Sequence, residues 1–204
     1  MGITFTDPST PPPTWAEIFG NTKPVEVEIG FGKGAFLLAL ARNRPEHNFF
    51  GVELSKRRAL RLAHLVERDG PPNVIAIHAD MACLARTMIW PTSVAVYHLY
   101  FPDPWWKTRH QQRRLFRAGF VNALARTLVS GGKIFLASDV IEYFAEIVRQ
   151  FSAVPELIQF PWERDHHTRK GKAILTDFER KYRTAGRPVF YAGFKTVGSS
   201  DFSR

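Results

Sequence analysis

The run Val25-Glu26-Val27-Glu28-Ile29-Gly30-Phe31-Gly32-Lys33-Gly34 limits the fold more than any other stretch of this 204-residue chain. Apolar and acidic residues alternate from Val25 to Ile29, the period of a strand. Three glycines at alternate positions then allow a sharp turn, and residues 35–42 carry the spacing of a helix. A strand that turns through glycine straight into a helix begins a βαβ unit. The alternation continues, with strands expected over 48–52, 73–79, 94–101 and 133–137. Helices are expected over 55–68, with Ser55 as N-cap, over 113–128, ended by Gly131-Gly132, and over 140–151. Short helices over 15–19 and 178–184 and a closing strand over 188–197 complete the pattern, with 155–172 left as loop or insertion. The expected fold is α/β, a doubly wound, mostly parallel sheet with helices on both faces. Residues 1–23 would form a leader and a short helix, and 24–204 one domain with a C-terminal elaboration.

The glycine spacing is G-x-G-x-G, where dinucleotide sites use G-x-G-x-x-G. Ala35 stands where the third glycine of that pattern would fall, so the dinucleotide reading is weakened and not excluded. Glu28 argues further against a pyrophosphate, because a carboxylate beside the loop repels phosphate and attracts an ammonium group. Glu53 ends the second strand 23 positions past Gly30, where an acid can accept ribose hydroxyls. Asp80 ends the third strand and can take an adenine amino proton or cap the helix that follows. Three acids at the carboxyl ends of three successive strands fit a nucleoside with a cationic tail, such as S-adenosylmethionine, better than they fit NAD.

The second informative stretch is Phe101-Pro102-Asp103-Pro104-Trp105-Trp106-Lys107-Thr108-Arg109-His110-Gln111-Gln112-Arg113-Arg114. No Asp or Glu occurs from Trp105 to Ser138, while the chain as a whole carries a formal net charge of +9. A contiguous basic stripe attracts phosphates through counterion release, so a nucleic acid is the expected partner. With 45% hydrophobic and 23% charged residues, the composition is that of an ordinary globular protein. No apolar run approaches the roughly 20 residues needed to cross a bilayer, so no membrane association is expected. The single Cys83 rules out an internal disulfide and fits a reducing cytoplasm. His166-His167 and Cys83 show no metal-ligand spacing, and no metal is expected.

Together, GFGKG after an acidic strand, Gly51-Val52-Glu53, Ala79-Asp80, FPDPWWKTRHQQRR, Ser138-Asp139 and Thr176-Asp177-Phe178-Glu179 resemble the bacterial tRNA (guanine-N7-)-methyltransferase family, TrmB. Trp106, Gln112, Ser138 and Asp177 depart from its usual residues. The resemblance implies a Rossmann-like class I methyltransferase. It would move a methyl group from S-adenosylmethionine to N7 of a guanine in the tRNA variable loop, working in the cytoplasm as a monomer or homodimer. Glu28, Gly30, Gly32, Gly34, Glu53, Asp80 and Asp103 would line the donor site, with Asp103 in the position usually assigned as catalytic. Lys107, Asp139, Thr176, Asp177, Phe178 and Glu179 would contact substrate, and Arg109, His110, Arg113 and Arg114 would engage RNA.

The chemistry narrows the role of Asp103. N7 of guanine presents a lone pair and carries no proton, so no general base is required. A nearby carboxylate can orient the base, stabilise its developing positive charge, and accept hydrogen bonds from N1–H and the 2-amino group. Pro102 and Pro104 restrict the backbone on either side of it. Asp139 also reads as the N-cap of the following helix, and Thr176 with Glu179 as a capping box.

Overall fold

The computed structural model describes residues 11–104, 115–116, 118–162, 168–169 and 172–197. Trp105, Trp106, Lys107, Arg109, His110, Arg113, Arg114, His166 and His167 therefore lie outside the described residues.

Five strands pair in parallel: β1 (Val25–Ile29), β2 (Asn48–Glu53), β3 (Val74–His78), β4 (Val94–Tyr100) and β5 (Leu128–Ser138). Two more, β6 (Leu157–Phe160) and β9 (Phe190–Thr196), extend the sheet antiparallel in the order β3-β2-β1-β4-β5-β9-β6. The short strands β7 (Thr168–Arg169) and β8 (Lys172–Ala173) pair separately. Strand order reverses between β1 and β4, which opens a crevice at their carboxyl ends where open α/β sheets bind ligands.

Helices cover both faces. On one, α4 (Met81–Thr87), α5 (Ala118–Thr127) and α6 (Ile141–Ser152) pack on Val25, Val27, Tyr97 and Ile134. The short α1 (Trp15–Phe19) joins them, with Trp15 meeting Phe50 edge-on at 5.0 Å and donating to Ser93 Oγ. On the other face, α2 (Ala35–Asn43) and α3 (Lys56–Asp69) pack on Phe49, Val96 and Phe135. The last helix, α7 (Asp177–Thr184), precedes β9.

Every residue of β1 is buried, including the acidic Glu26 and Glu28. Glu26 survives there because Arg44 and His47 each reach one oxygen at 2.7 Å and His98 reaches the other at 2.8 Å. Burial alone would raise its pKa, but the hydrogen bonds from His47 and His98 and the positive charge around it hold the carboxyl well below the usual range.

Two expectations shift. The Gly131-Gly132 pair does not end α5; the helix stops at Thr127, and both glycines lie within β5. The buried Thr127 hydroxyl donates toward the Ala123 and Leu124 carbonyls and bonds Tyr97, satisfying the helix end without the glycines. The segment expected to be loop over 155–172 supplies the edge strand β6, whose four residues pair with β9. So short an apolar run carries too little pattern to stand out alone.

Candidate functional site

The loop after β1 is shaped by glycine. Gly30, Gly32 and Gly34 adopt φ of 75°, 59° and 78°, a region costly for other residues. Their amides are all committed within the protein: Gly30 N–H donates to Val52 O at 2.7 Å, Gly32 N–H to Glu53 Oε2 at 3.0 Å, and Gly34 N–H to Phe31 O at 2.8 Å. A Cβ placed on Gly30 or Gly32 would meet nothing within 4 Å, so the backbone there faces open space. A Cβ on Gly34 would instead strike the Leu62 side chain at 2.4 Å, and that glycine serves the packing of α2 on α3.

Glu53, only 3% exposed, ties three elements together. Besides the Gly32 amide it accepts from Ser55 N–H at 2.8 Å and from the Arg58 guanidinium at 2.9 Å, both on Oε1. Ser55 thus occupies the N-cap position of α3 without capping it through its side chain. Arg58 was not among the expected site residues, since nothing local to the basic first turn of α3 marks it as the partner of Glu53. The guanidinium is held charged first by its bond to Glu53 and then by the charges of Glu53 and Asp103. It therefore links the acid ending β2 with the acid beyond β4.

Glu28 lies in β1 two residues before Gly30 and is 4% exposed. Asp80 follows β3, exposed, and its Oδ1 accepts from Ala82 N–H at 2.7 Å and Cys83 N–H at 3.4 Å, so the capping role is realised. Asp103 is exposed and follows Phe101, a non-glycine residue with φ of 51°. That backbone costs about 1–2 kcal/mol. It is held because Phe101 N–H donates to Ala137 O at 2.8 Å and its ring packs on Phe178 and Tyr182. The kink turns the chain off the sheet into Pro102-Asp103-Pro104, and strain of this kind concentrates at functional loops.

Beyond β5, Asp139 does not cap α6; that position is Val140, whose N–H donates to Ser138 Oγ at 3.2 Å. Asp139 pairs with Arg187 at 2.9 Å. Thr176 does cap α7, accepting from Glu179 N–H at 3.1 Å, but Glu179 does not complete a capping box. Its side chain is fully buried and accepts from Tyr191 Oη at 2.6 Å and Arg183 at 3.1 Å. Asp177 pairs with Arg180 at 3.2 Å, and Phe178 stands 52% exposed. Glu28, Glu53, Asp80, Asp103 and Asp139 thus line the carboxyl edges of β1, β2, β3, β4 and β5 in turn. Among the described residues, no group of three or more His, Cys, Asp or Glu side chains is placed to hold a metal.

The family model described as "Putative methyltransferase" matches residues 22–192. A protein named tRNA (guanine-N(7)-)-methyltransferase from Aliivibrio fischeri (strain MJ11) is 33% identical, covering 96% of this chain and 81% of its own. One of the same name from Oceanobacillus iheyensis is 31% identical over 92% of this chain and 88% of its own. The chain belongs to the tRNA (guanine-N7-)-methyltransferase family. Among solved structures, the aminoglycoside resistance methyltransferase NpmB1 superposes with a TM-score of 0.60 at 17% identity, over 87% of this chain and 89% of its own. The 16S rRNA methyltransferase KamB gives 0.63 at 12%, over 91% and 94%. The family thus shares the Rossmann-like fold of class I S-adenosylmethionine-dependent methyltransferases, which the strand order here reproduces. No helix among the described residues is long and apolar enough to cross a membrane.

Proposed function

We propose that this protein transfers the methyl group of S-adenosylmethionine to N7 of a guanine in the tRNA variable loop, in the cytoplasm. The observation that carries the reading is the commitment of all three glycine amides within the protein. A dinucleotide site offers such amides to a pyrophosphate. Here the loop has shape and an acidic rim to offer, which suits a nucleoside bearing a positive charge and no phosphate. S-adenosylmethionine is such a molecule, and it supplies a methyl group on a sulfonium centre. Gly30 and Gly32 would let it approach the backbone, Glu28 would face its amino group, Glu53 its ribose hydroxyls, and Asp80 its adenine.

The acceptor nitrogen needs orientation and charge stabilisation more than deprotonation. Asp103, exposed beyond the strained Phe101, would supply a fixed negative charge as the base becomes cationic. Lys107, Arg109, His110, Arg113 and Arg114 would hold the RNA backbone, which positions it without reading sequence. Asp139, Asp177 and Phe178 would meet the acceptor, while Thr176, as cap, and Glu179, buried under Tyr191, would support them. Residues 24–204 would act as one domain, with 1–23 as its leader.

The test is incubation with methyl-labelled S-adenosylmethionine and bulk tRNA, followed by cleavage specific for 7-methylguanine. Label at N7 of a variable-loop guanine supports the reading; label confined to another base or another atom sinks it.

A further inference from the structure

Helix α3 carries a charge pattern that neither the donor crevice nor the basic segment after β4 accounts for. Its buried side is Ala59 and Leu62, packed over β2 and β3. Opposite them, at the helical spacing i, i+4, i+7 and i+11, Arg57, Arg61, His64 and Arg68 form one exposed ridge, about 16 Å long. Lys56, Arg57 and Arg58 open the helix with no acid in the first turn and no side-chain cap. Cations at the amino end oppose the helix dipole, and like charges three or four positions apart repel. At those spacings Arg61 meets only Arg57, Arg58, His64 and Leu65. Among the described residues, Arg58 pairs with Glu53 and Arg68 with Asp69, whereas Arg57 and Arg61 have no carboxylate partner.

A solvated helix commonly balances such charge within itself, and α7 does so. There Asp177 pairs with Arg180 at 3.2 Å and Glu179 with Arg183 at 3.1 Å. Helix α3 instead leaves its central arginines unbalanced at a cost to its own stability, a pattern that points to an anion brought from outside. We propose that the ridge of Arg57, Arg61, His64 and Arg68 is a second RNA-binding surface, which holds the tRNA backbone on the β2 side of the crevice. This rests on tRNA being the substrate and goes further by assigning a contact surface outside the basic segment.

The placement suits that role. Helix α3 starts just past Glu53, so the ridge begins at the rim of the crevice and runs away from it. The basic segment follows β4. Strands β2 and β4 flank β1, so their ends stand about 10 Å apart, on opposite sides of the glycine loop. A guanine delivered between them has RNA chain leading away on both sides, and each side meets cations. Phosphate contacts of this kind add affinity and fix register without reading bases, and each adds salt dependence. The exposed Leu60 and Leu65 flank the ridge, and an acidic protein is the rival occupant. RNA is favoured because the ridge begins at the crevice where the substrate must enter.

The test compares three forms of the full chain: native, Arg57→Ala with Arg61→Ala, and a charge-matched control, Arg42→Ala with Arg149→Ala. The control arginines are exposed on α2 and α6. Filter retention of bulk tRNA is measured from about 50 to 200 mM salt. Losing two phosphate contacts should lower the slope of log K against log salt by about 1.4–1.8 and weaken binding roughly tenfold or more, with the control near native. S-adenosylhomocysteine affinity and kcat at saturating tRNA should hold while the tRNA KM rises. The ridge variant should melt no lower than native protein, because alanine favours the helix and relieves the repulsion. An unchanged salt slope, as a surface for an acidic protein would give, or an equal loss in the control, overturns the proposal. So does a marked fall in Tm, which would show that the two arginines hold the fold. The functional reading is judged on native protein alone. Failure to bind tRNA, or methylation at another base, removes that reading, whereas normal N7 methylation with an unchanged slope in the variant removes only the ridge.

Discussion

Gly32→Ala and Gly34→Ala form a matched pair that separates ligand space from packing within one loop. Both glycines have positive φ, 59° and 78°, so each substitution carries a backbone penalty of about 1–2 kcal/mol. For a chain of this size, about 1 kcal/mol moves Tm by roughly 2–4 °C, which predicts a fall of roughly 2–8 °C from that cause. The new methyl groups meet different surroundings. At position 32 it projects into open space and costs the empty protein nothing more, whereas at position 34 it lies 2.4 Å from Leu62 Cδ2. Overpacking of that kind adds about 1–3 kcal/mol, so Gly34→Ala should melt several degrees below Gly32→Ala. Donor binding should run in the opposite order. If the space above Gly32 is where S-adenosylmethionine lies, the methyl group there should weaken its binding by roughly tenfold or more, since a misfit of one methyl-sized group costs about 1–3 kcal/mol. Calorimetric titration with S-adenosylhomocysteine and a thermal melt of each variant suffice. Equal loss of ligand affinity in the two variants, or tighter binding by Gly32→Ala than by Gly34→Ala, would refute the placement of the donor over Gly32.

Arg58→Ala removes one of three donors to Glu53 and leaves the two backbone amides, so with a half-exposed guanidinium the loss is about 1 kcal/mol. The donor KM should rise roughly fivefold with kcat little changed and with partial rescue by Arg58→Lys; a fall in kcat at constant donor KM contradicts this. Asp103→Ala should abolish most methyl transfer while tRNA retention on filters stays near native, and full activity in that variant removes Asp103 from the site. Glu26→Gln should cost about 3–5 kcal/mol, because it breaks a buried pair that leaves Arg44, His47 and His98 without their carboxylate. The folded pKa of Glu26 is depressed, so its stabilisation is complete above the ordinary glutamate range and is lost as pH falls through and below it. The stability gap between native protein and Glu26→Gln should therefore narrow in acid melts below about pH 4. A gap that stays constant down to pH 3 would show that the charge of Glu26 is not what matters.

Much of the frame was legible because local pattern and global fold agree. The β1–glycine–α2 run, the strands ending at Glu53 and His78, and the closing β9 all carry their period in the residues themselves. The errors fall where a long-range partner decides. Thr127, and not the glycine pair, closes α5 because its hydroxyl finds Tyr97 and two carbonyls, and no window around residue 127 contains Tyr97. β6 exists because β9 offers it an edge, some thirty residues further along the chain. The burial of Glu26 is set the same way, since His47 and His98, which make it tolerable, arrive from the segment before β2 and from β4. The site shows the same division. Carboxylates at strand ends can be found by their positions, since a strand end in a parallel sheet is a predictable place. Their partners cannot. Arg58 and Arg187 are two arginines in an arginine-rich chain until the fold sets one against Glu53 and the other against Asp139. Glu53 and Asp139 are therefore each half of a pair whose other half is invisible in one dimension, and the pairing decides how firmly each is braced. Glu53, met by two backbone amides as well as Arg58, is a fixed wall. Asp139, met by a half-exposed guanidinium 4.5 Å from the Tyr182 ring centroid, is held less firmly.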